Sequence, residues 1–327
     1  MKRFSKILYI HNHSAQPSTA LARLASLAAN NQAEVCIATT QPDIRGGFGL
    51  PPGGPTSAIL QSRAIADAKR DLRQMLSQTP FGQTPLGPAP ELRVLVGDAY
   101  IQIIRAVLRD GFDLVIKPAE NPSWISRLFG ATDMQLLREC PCPVWLMREP
   151  ERDNYRCIVA AIDFDPQQPE SAWQGINQQI LELASSLALS DFASLHLLHA
   201  WEAPGEIIMR SHGDLDATAI LNYVEQERLR QQDIMERLLQ WLKQRLGEQT
   251  YAYLKPQVHL LQGDPSRLIS AQAKRLETDL LVMGSLARTG ISGLFIGNTA
   301  ETILEQIQSS VLTVKPEGFV TPVTLEH

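Results

Sequence analysis

The chain has 327 residues, 44% of them hydrophobic and 20% charged, and a net charge of -5. That composition is the composition of soluble globular domains and excludes a disordered, fibrous or collagen-like chain. Four cysteines, Cys36, Cys140, Cys142 and Cys157, are too few and too irregularly placed for a disulfide framework.

In chain order, hydrophobic periodicity predicts strands over residues 6–10, 34–39, 92–96, 113–117 and 144–147. Helices are predicted between them over 19–30, 57–76, 101–108 and 133–139. A polar, proline-containing stretch at 149–154 then reads as a linker. Beyond it the alternation resumes, with strands over 156–162, 193–200, 257–261, 279–283 and 311–315. The second set of helices covers 173–189, 217–246, 265–276 and 299–308. In the long helix 217–246, Leu221, Val224, Ile234, Leu238 and Leu242 form one apolar stripe.

Landmarks of the first half return in the second at an offset of 166: Gly97-Asp98 as Gly263-Asp264, Asp113-Leu114 as Asp279-Leu280, Leu128-Phe129 as Leu294-Phe295. One inserted residue, Ile296, makes the offset 167, so that Thr132 matches Thr299 and Val144 matches Val311. Register held through loops and helices marks two copies of one domain, residues 1–150 and 155–327. Strands and helices alternate, and the strands are apolar enough to be covered on both faces. The expected fold is therefore α/β: two tandem, doubly wound, parallel five-stranded sheets. In such sheets ligands sit beyond the carboxyl ends of the strands, where strand order reverses.

Charge divides unevenly. Residues 1–150 hold 16 Lys+Arg and 12 Asp+Glu, leaving 14 and 23 for the remainder. The basic excess makes no stripe, so nucleic acid is not an expected partner. The run of Ile7 to Ile10 after Met1-Lys2-Arg3 is too short for a secretory leader or a membrane span, which points to a cytoplasmic chain.

The sharpest chemical signal follows the fourth strand of the second copy, from Met283-Gly284-Ser285 through Ala287, Arg288, Gly290 and Gly293 to Gly297-Asn298-Thr299. Glycines let backbone N–H groups approach an anion, Asn298 or Thr299 adds a donor at the positive end of the next helix, and Arg288 is the cation of the loop. The same glycines also serve as turn residues between a strand and a helix.

This loop resembles the nucleotide-binding signature of the universal stress protein family, Gly-x2-Gly-x9-Gly-(Ser/Thr), and the duplication resembles its tandem branch. The resemblance implies a Rossmann-like, adenine nucleotide hydrolase-like fold and a non-catalytic ligand-binding role in the stress response. It assigns phosphate to Gly284 and Gly297, the adenosine part to Asp163 at the end of the first strand, and the flank of the base to Leu197. ATP or AMP, with Mg2+ accompanying the nucleotide, are the implied ligands, in the second copy only. The fifth strands, 144–147 and 311–315, would join the copies as family dimers join, inside one chain, leaving open a homodimer and an unidentified protein partner.

Two positions depart from the signature: its second glycine is Ala287 and its Ser/Thr is Asn298. In the first copy Pro118-Ala119 stands where the second has Gly284-Ser285, His11 stands for Asp163, and Asp133 puts a carboxylate where phosphate would lie. That copy is expected to be structural or differently liganded. Asp98 and Asp264 are expected to be helix N-caps. His11 and His13 lack the partners of a metal site, and Cys140-Pro141-Cys142 lacks the two-residue spacer of a redox pair or zinc knuckle. Gly46-Gly47-Phe48-Gly49 and Gly53-Gly54 lack a P-loop lysine. No nucleophile elbow or catalytic triad pattern appears. Weak nucleotide hydrolysis or autophosphorylation, drawing on Ser285, Thr289 and Asp163, is the alternative function. A non-nucleotide metabolite in the second copy is another.

Overall fold

The computed structural model describes residues 4–11, 18–44, 57–79, 81, 89–120, 131–148, 150–211, 216–285 and 297–325. Ala287, Arg288, Gly290, His13, Leu128-Phe129, Leu294-Phe295 and the glycines of 46–54 lie outside these residues. The chain forms two compact units, one holding residues up to Asn154 and from Ser310 onward, the other the described residues from Tyr155 to Ser309.

In the first unit the elements are β1 (Lys6–His11), α1 (Ser18–Asn31), β2 (Glu34–Gln41), α2 (Ser57–Ser77), β3 (Glu91–Val96), α3 (Ala99–Asp110), β4 (Leu114–Pro118), α4 (Ala131–Glu139) and β5 (Val144–Met147). A sixth strand, β10 (Ser310–Val314), is the fifth strand of the second copy. The order is β3-β2-β1-β4-β5-β10, parallel throughout except that β10 runs antiparallel to β5, with Val311 opposite Leu146 and Thr313 opposite Val144. Strands β4, β5 and β10 are buried at every residue, as strands covered on both faces must be. Ser310 holds the start of β10 in register: its hydroxyl donates to Glu151 Oε2 at 2.6 Å and accepts the Arg148 N–H at 2.9 Å.

The second unit contains β6 (Cys157–Ala161), α5 (Gln174–Asp191), β7 (Ser194–Trp201), α6 (Pro204–Ser211), α7 (Ala217–Leu246), α8 (Glu248–Leu254), β8 (Gln257–Gln262), α9 (Pro265–Arg275), β9 (Leu280–Gly284) and α10 (Asn298–Gln306). Its strands are parallel in the order β9-β6-β7-β8. In both units the order reverses between the first and fourth strands of the copy.

The repeated residues have physical work in common. Gly97 and Gly263 sit at φ 124° and 130° after the third strand of each copy, a backbone region closed to L side chains. Asp113 accepts the N–H groups of Ser5 and Lys6, and Asp279 those of Arg156 and Cys157, so each ties the start of the fourth strand to the start of the first. Asp264 caps α9 by accepting the Arg267 N–H at 3.1 Å, whereas Asp98 makes no side-chain cap to α3. The shared Gly-Asp pair is thus explained by backbone geometry in both copies and by capping in one. On α7 the apolar stripe is shifted from the expected one: Ile220, Ile234, Met235, Leu238 and Leu242 are buried and Leu221 is 64% exposed.

A directed hydrogen-bond chain lies between β7, β8 and α9. The Gln272 amide donates to His259 Nδ1 (3.3 Å), which leaves the His259 Nε2–H to donate to His196 Nδ1 (3.0 Å); His196 Nε2–H then donates to Ser194 Oγ (3.2 Å) and Ser194 to the Arg156 carbonyl (3.0 Å). Every link needs neutral imidazoles. Burial, with the neighbouring His259 for His196 and Arg275 for His259, holds both rings below the ordinary value of 6.5. The unfolded chain therefore binds more protons than the folded one below pH 6.5. This part of the stability is complete above that pH and is lost as pH falls toward the depressed folded values. Urea midpoints measured from pH 7.5 downward should drop over this window, and His259→Gln should flatten the drop; an unchanged slope would refute the assignment.

Candidate functional site

The reversal of strand order in the second unit places the carboxyl ends of β6 and β9 side by side, with α5 leaving one and α10 following the other. Between them lies a cleft of ≈ 380 Å³. Its walls come from Ile162, Ile176 and Met283, its polar margin from Asp163, Asp165 and Gln168, and its far end from the first turn of α10.

Buried side chains hold the peptide groups at the end of β6. His199 on β7 pairs through Nδ1 with the Ile162 carbonyl (3.0 Å) and through Nε2 with Gln231 on α7 (3.0 Å). Asn177 on α5 makes a two-way bond to Asp163, accepting its N–H at 3.1 Å and donating to its carbonyl at 2.9 Å. Asn177 is 0% exposed, so this amide pair replaces water that the backbone would otherwise need. Phe164 stacks on the ring of His199 with centroids 3.8 Å apart, closing the floor of the same corner. The exposed Asp163 carboxylate is thereby carried on an immobilised backbone.

At the other end, α10 begins at Gly297 with no side-chain cap. The amides of its first turn carry the positive end of the helix dipole and open toward the cleft lined by Asn298, Thr299 and Ala300. The Gly297 N–H donates to the Ser285 carbonyl (3.3 Å), so the two ends of the intervening loop meet. Gly284 is bare for a reason of space: a Cβ there would stand 2.9 Å from Ile176 Cδ1.

Of the residues expected from sequence, Asp163, Met283, Gly284, Gly297, Asn298 and Thr299 come together on this cleft. Ser285 is fully buried beside it, and Leu197 is fully buried inside β7 and is not among the lining residues. Trp173, Ile176 and Asn177, all from the start of α5, were not expected. A polar Asn177 inside an apolar helical face was the one signal available for them.

The first copy fills the same place with its own charges. Lys117 corresponds to Met283 and Asp133 to Ala300, both of which line the second unit's cleft. Lys117 Nζ donates to Asp133 Oδ1 at 2.8 Å and to Glu120 at 3.0 Å, while Asp133 Oδ2 accepts the Glu120 N–H at 2.7 Å. Asp133 is 0% exposed and stands in the first turn of α4, where a phosphate would have met the helix dipole. Burial pushes its carboxyl up despite the nearby Lys117. The pair therefore costs desolvation that its attraction does not fully return.

A sequence profile of the Universal stress protein family matches residues 3–148 and again residues 154–315. Universal stress protein E of Photorhabdus laumondii subsp. laumondii is 28% identical over 227 residues, 68% of each chain. Universal stress protein E of Escherichia coli K12 is 27% identical over 226 residues, 68% of this chain and 67% of its own. Among solved structures, a functionally unknown protein of Pseudomonas aeruginosa PAO1 superposes with a TM-score of 0.65 at 22% identity, covering 97% of this chain and 94% of its own. A universal stress protein of Archaeoglobus fulgidus DSM 4304 gives 0.59 at 16% identity, covering 95% and 98%. At these identities the structural likeness speaks to the fold alone.

Two outcomes follow from the geometry. Asp133→Ala leaves the buried Lys117 ammonium with Glu120 as its remaining carboxylate partner and should cost about 1–3 kcal/mol, whereas Lys117→Met with Asp133→Ala, which copies the second unit, should recover most of that loss; urea unfolding followed by circular dichroism decides, and equal destabilisation of the two variants would contradict the ion-pair account. Asn177→Ala should cost about 1–3 kcal/mol and speed exchange of the Asp163 amide selectively. Hydrogen exchange resolved by NMR would show it, and undisturbed protection at Asp163 would exclude the clamp.

Proposed function

The chain belongs to the universal stress protein family, with two tandem domains, and from that premise we propose that its second unit binds an adenine nucleotide, ATP or AMP, as a non-catalytic sensor. The observation that carries this reading is the uncapped start of α10 opening on a cleft beside the bare Gly284. The first-turn amides at Asn298 to Ala300 suit a phosphate, which brings the charge that the helix end lacks. Ile162, Ile176 and Met283 offer apolar walls to a base, and Asp163 offers a carboxylate to ribose hydroxyls. Two carboxylates, Asp163 and Asp165, on the margin of a phosphate site favour entry of Mg2+ with a triphosphate, since the divalent ion offsets their repulsion.

Binding would join three separately held pieces: the clamped end of β6, the end of β9 and the first turn of α10. A ligand acting in this way shifts the balance between conformations of the unit and needs no turnover. Ser285, the hydroxyl nearest the loop, is fully buried, which gives no support to phosphoryl transfer onto it. The first unit, with Asp133 and Lys117 in the equivalent place, is assigned no nucleotide.

Calorimetric titration with ATP, ADP and AMP, with and without magnesium, tests the reading. One equivalent of nucleotide per chain is expected. Gly284→Asp, which forces Ile176 aside and adds a charge facing the phosphate, should weaken binding at least about a hundredfold, while Pro118→Ala in the first unit should leave it unchanged. No binding, or binding indifferent to Gly284→Asp, would overturn it, and a different co-purifying mass in native mass spectrometry would direct attention to another metabolite.

A further inference from the structure

Away from the cleft, the first unit gathers three reactive groups where α4 passes into β5. Cys140 and Cys142 flank Pro141, and their sulfurs lie 3.6 Å apart. Lys315, buried just after β10, donates from Nζ to the carbonyls of Leu137 and Arg138 at the same end of α4. Cys36 and Cys157 are buried without such company, and burial pushes both thiols up, Cys36 to about 12.

We propose that Cys140 and Cys142 are an oxidisable dithiol that closes an intrachain disulfide when the protein meets a hydroperoxide. The sulfurs already touch, so the bond needs only a shortening from 3.6 Å to about 2.05 Å within one turn, with no movement of distant elements. The electrostatics couples the two sulfurs. Burial acts to raise the Cys140 thiol, but the hydrogen bond from Cys142 and the charge of Lys315 outweigh it and hold it below the ordinary value. The same bond, with burial, pushes Cys142 up, so that the pair shares one proton. Burial also lowers Lys315 to about 8, which still leaves most of its population charged at neutral pH.

Cys142 is 9% exposed and Cys140 fully buried, so the oxidant enters at Cys142. The shared proton passes from Cys142 to Cys140 as the Cys142 sulfur attacks the hydroperoxide; an S–O bond forms, the O–O bond breaks, and the alkoxide leaves as alcohol by taking a proton from water. Cys140 then attacks the Cys142 sulfenic sulfur; the S–S bond forms, and hydroxide departs with the Cys140 proton as water. One thiol and one thiolate are oxidised by two electrons in all, and one hydroperoxide, with one proton from water, is reduced to alcohol and water. The bond would tighten the turn between α4 and β5, next to the carbonyls that hold Lys315.

The test treats the folded full-length chain with tert-butyl hydroperoxide, followed by alkylation and peptide mass mapping. The peptide carrying Cys140 and Cys142 should lose two hydrogens and regain them with a thiol reductant, at a rate at least about tenfold above any modification of Cys36 or Cys157. Cys140→Ser, lacking the resolving sulfur, should accumulate a dimedone-reactive sulfenic acid at Cys142. An unchanged peptide mass together with no sulfenic acid in the variant would overturn the proposal, as would equal oxidation of all four cysteines, which reports unfolding rather than a site.

Discussion

The positive end of the helix that follows the fourth strand is the constraint on which both copies turn. A parallel sheet whose strand order reverses between its first and fourth strands aims that helix end into the cleft at the reversal, and its amides need a negative partner. The first copy supplies one from its own sequence: Asp133, on the first turn of α4, with Lys117 to neutralise it and Glu120 to complete the set. In the second copy the same positions hold Ala300 and Met283, and among the described residues no side chain caps α10. One copy is thus satisfied internally, and the other leaves that place open for the nucleotide proposed above. Because a buried ion pair stabilises little beyond a well-packed apolar pair, the difference between the copies lies in what each leaves open rather than in how stable each is.

An open helix end alone would be a poor receptor, since loops around it would pay an entropic cost on every binding event. The second unit reduces that cost at β6. His199 fixes the Ile162 carbonyl and Asn177 fixes both polar groups of the Asp163 backbone, so the carboxylate stands where it is needed beforehand. Gln231 carries the same network to α7, coupling the long helix to the corner of the cleft. The corner of the cleft and the long helix α7 thus share one hydrogen-bonded network through His199.

Much of this was legible in the sequence, for reasons that can be named. The strands, the boundaries of α7 and the cap of α9 are written locally, in apolar alternation, in Asp216 and Gly247 at the ends of α7 and in Asp264-Pro265. The landmark Gly97, matched by Gly263, reported a left-handed backbone requirement, and Asp113, matched by Asp279, a strand-to-strand tie. Gly284 and Gly297 line the cleft together, and a motif that spans a single loop makes such a pair visible in sequence. The clamp was not legible, since Asn177, His199 and Gln231 come from three elements and meet only after folding. Lys117 was missed for the same reason: Asp133 was read as a carboxylate in place of phosphate, but its partner lies sixteen residues earlier on β4. Leu221 fell off the buried face of α7 because the face follows the polar Glu227 and Gln231 as well as the aliphatic residues, and hydrophobicity alone could not see them.

The duplication also explains why the second copy stays attached to the first. Its fifth strand completes the first unit, antiparallel to β5, and is buried along its whole length. Ser310 and Glu151 fasten the start of that strand, and Lys315 at its end occupies the carbonyls that finish α4. The strand brings polar groups that are buried only because these partners are waiting, so its removal would leave Glu151 and the last turn of α4 without them and expose an unpaired edge at β5. The first copy, whose own ion pair fills the place of the second unit's cleft lining, gives the second copy's last strand a paired edge, a carboxylate and a helix end.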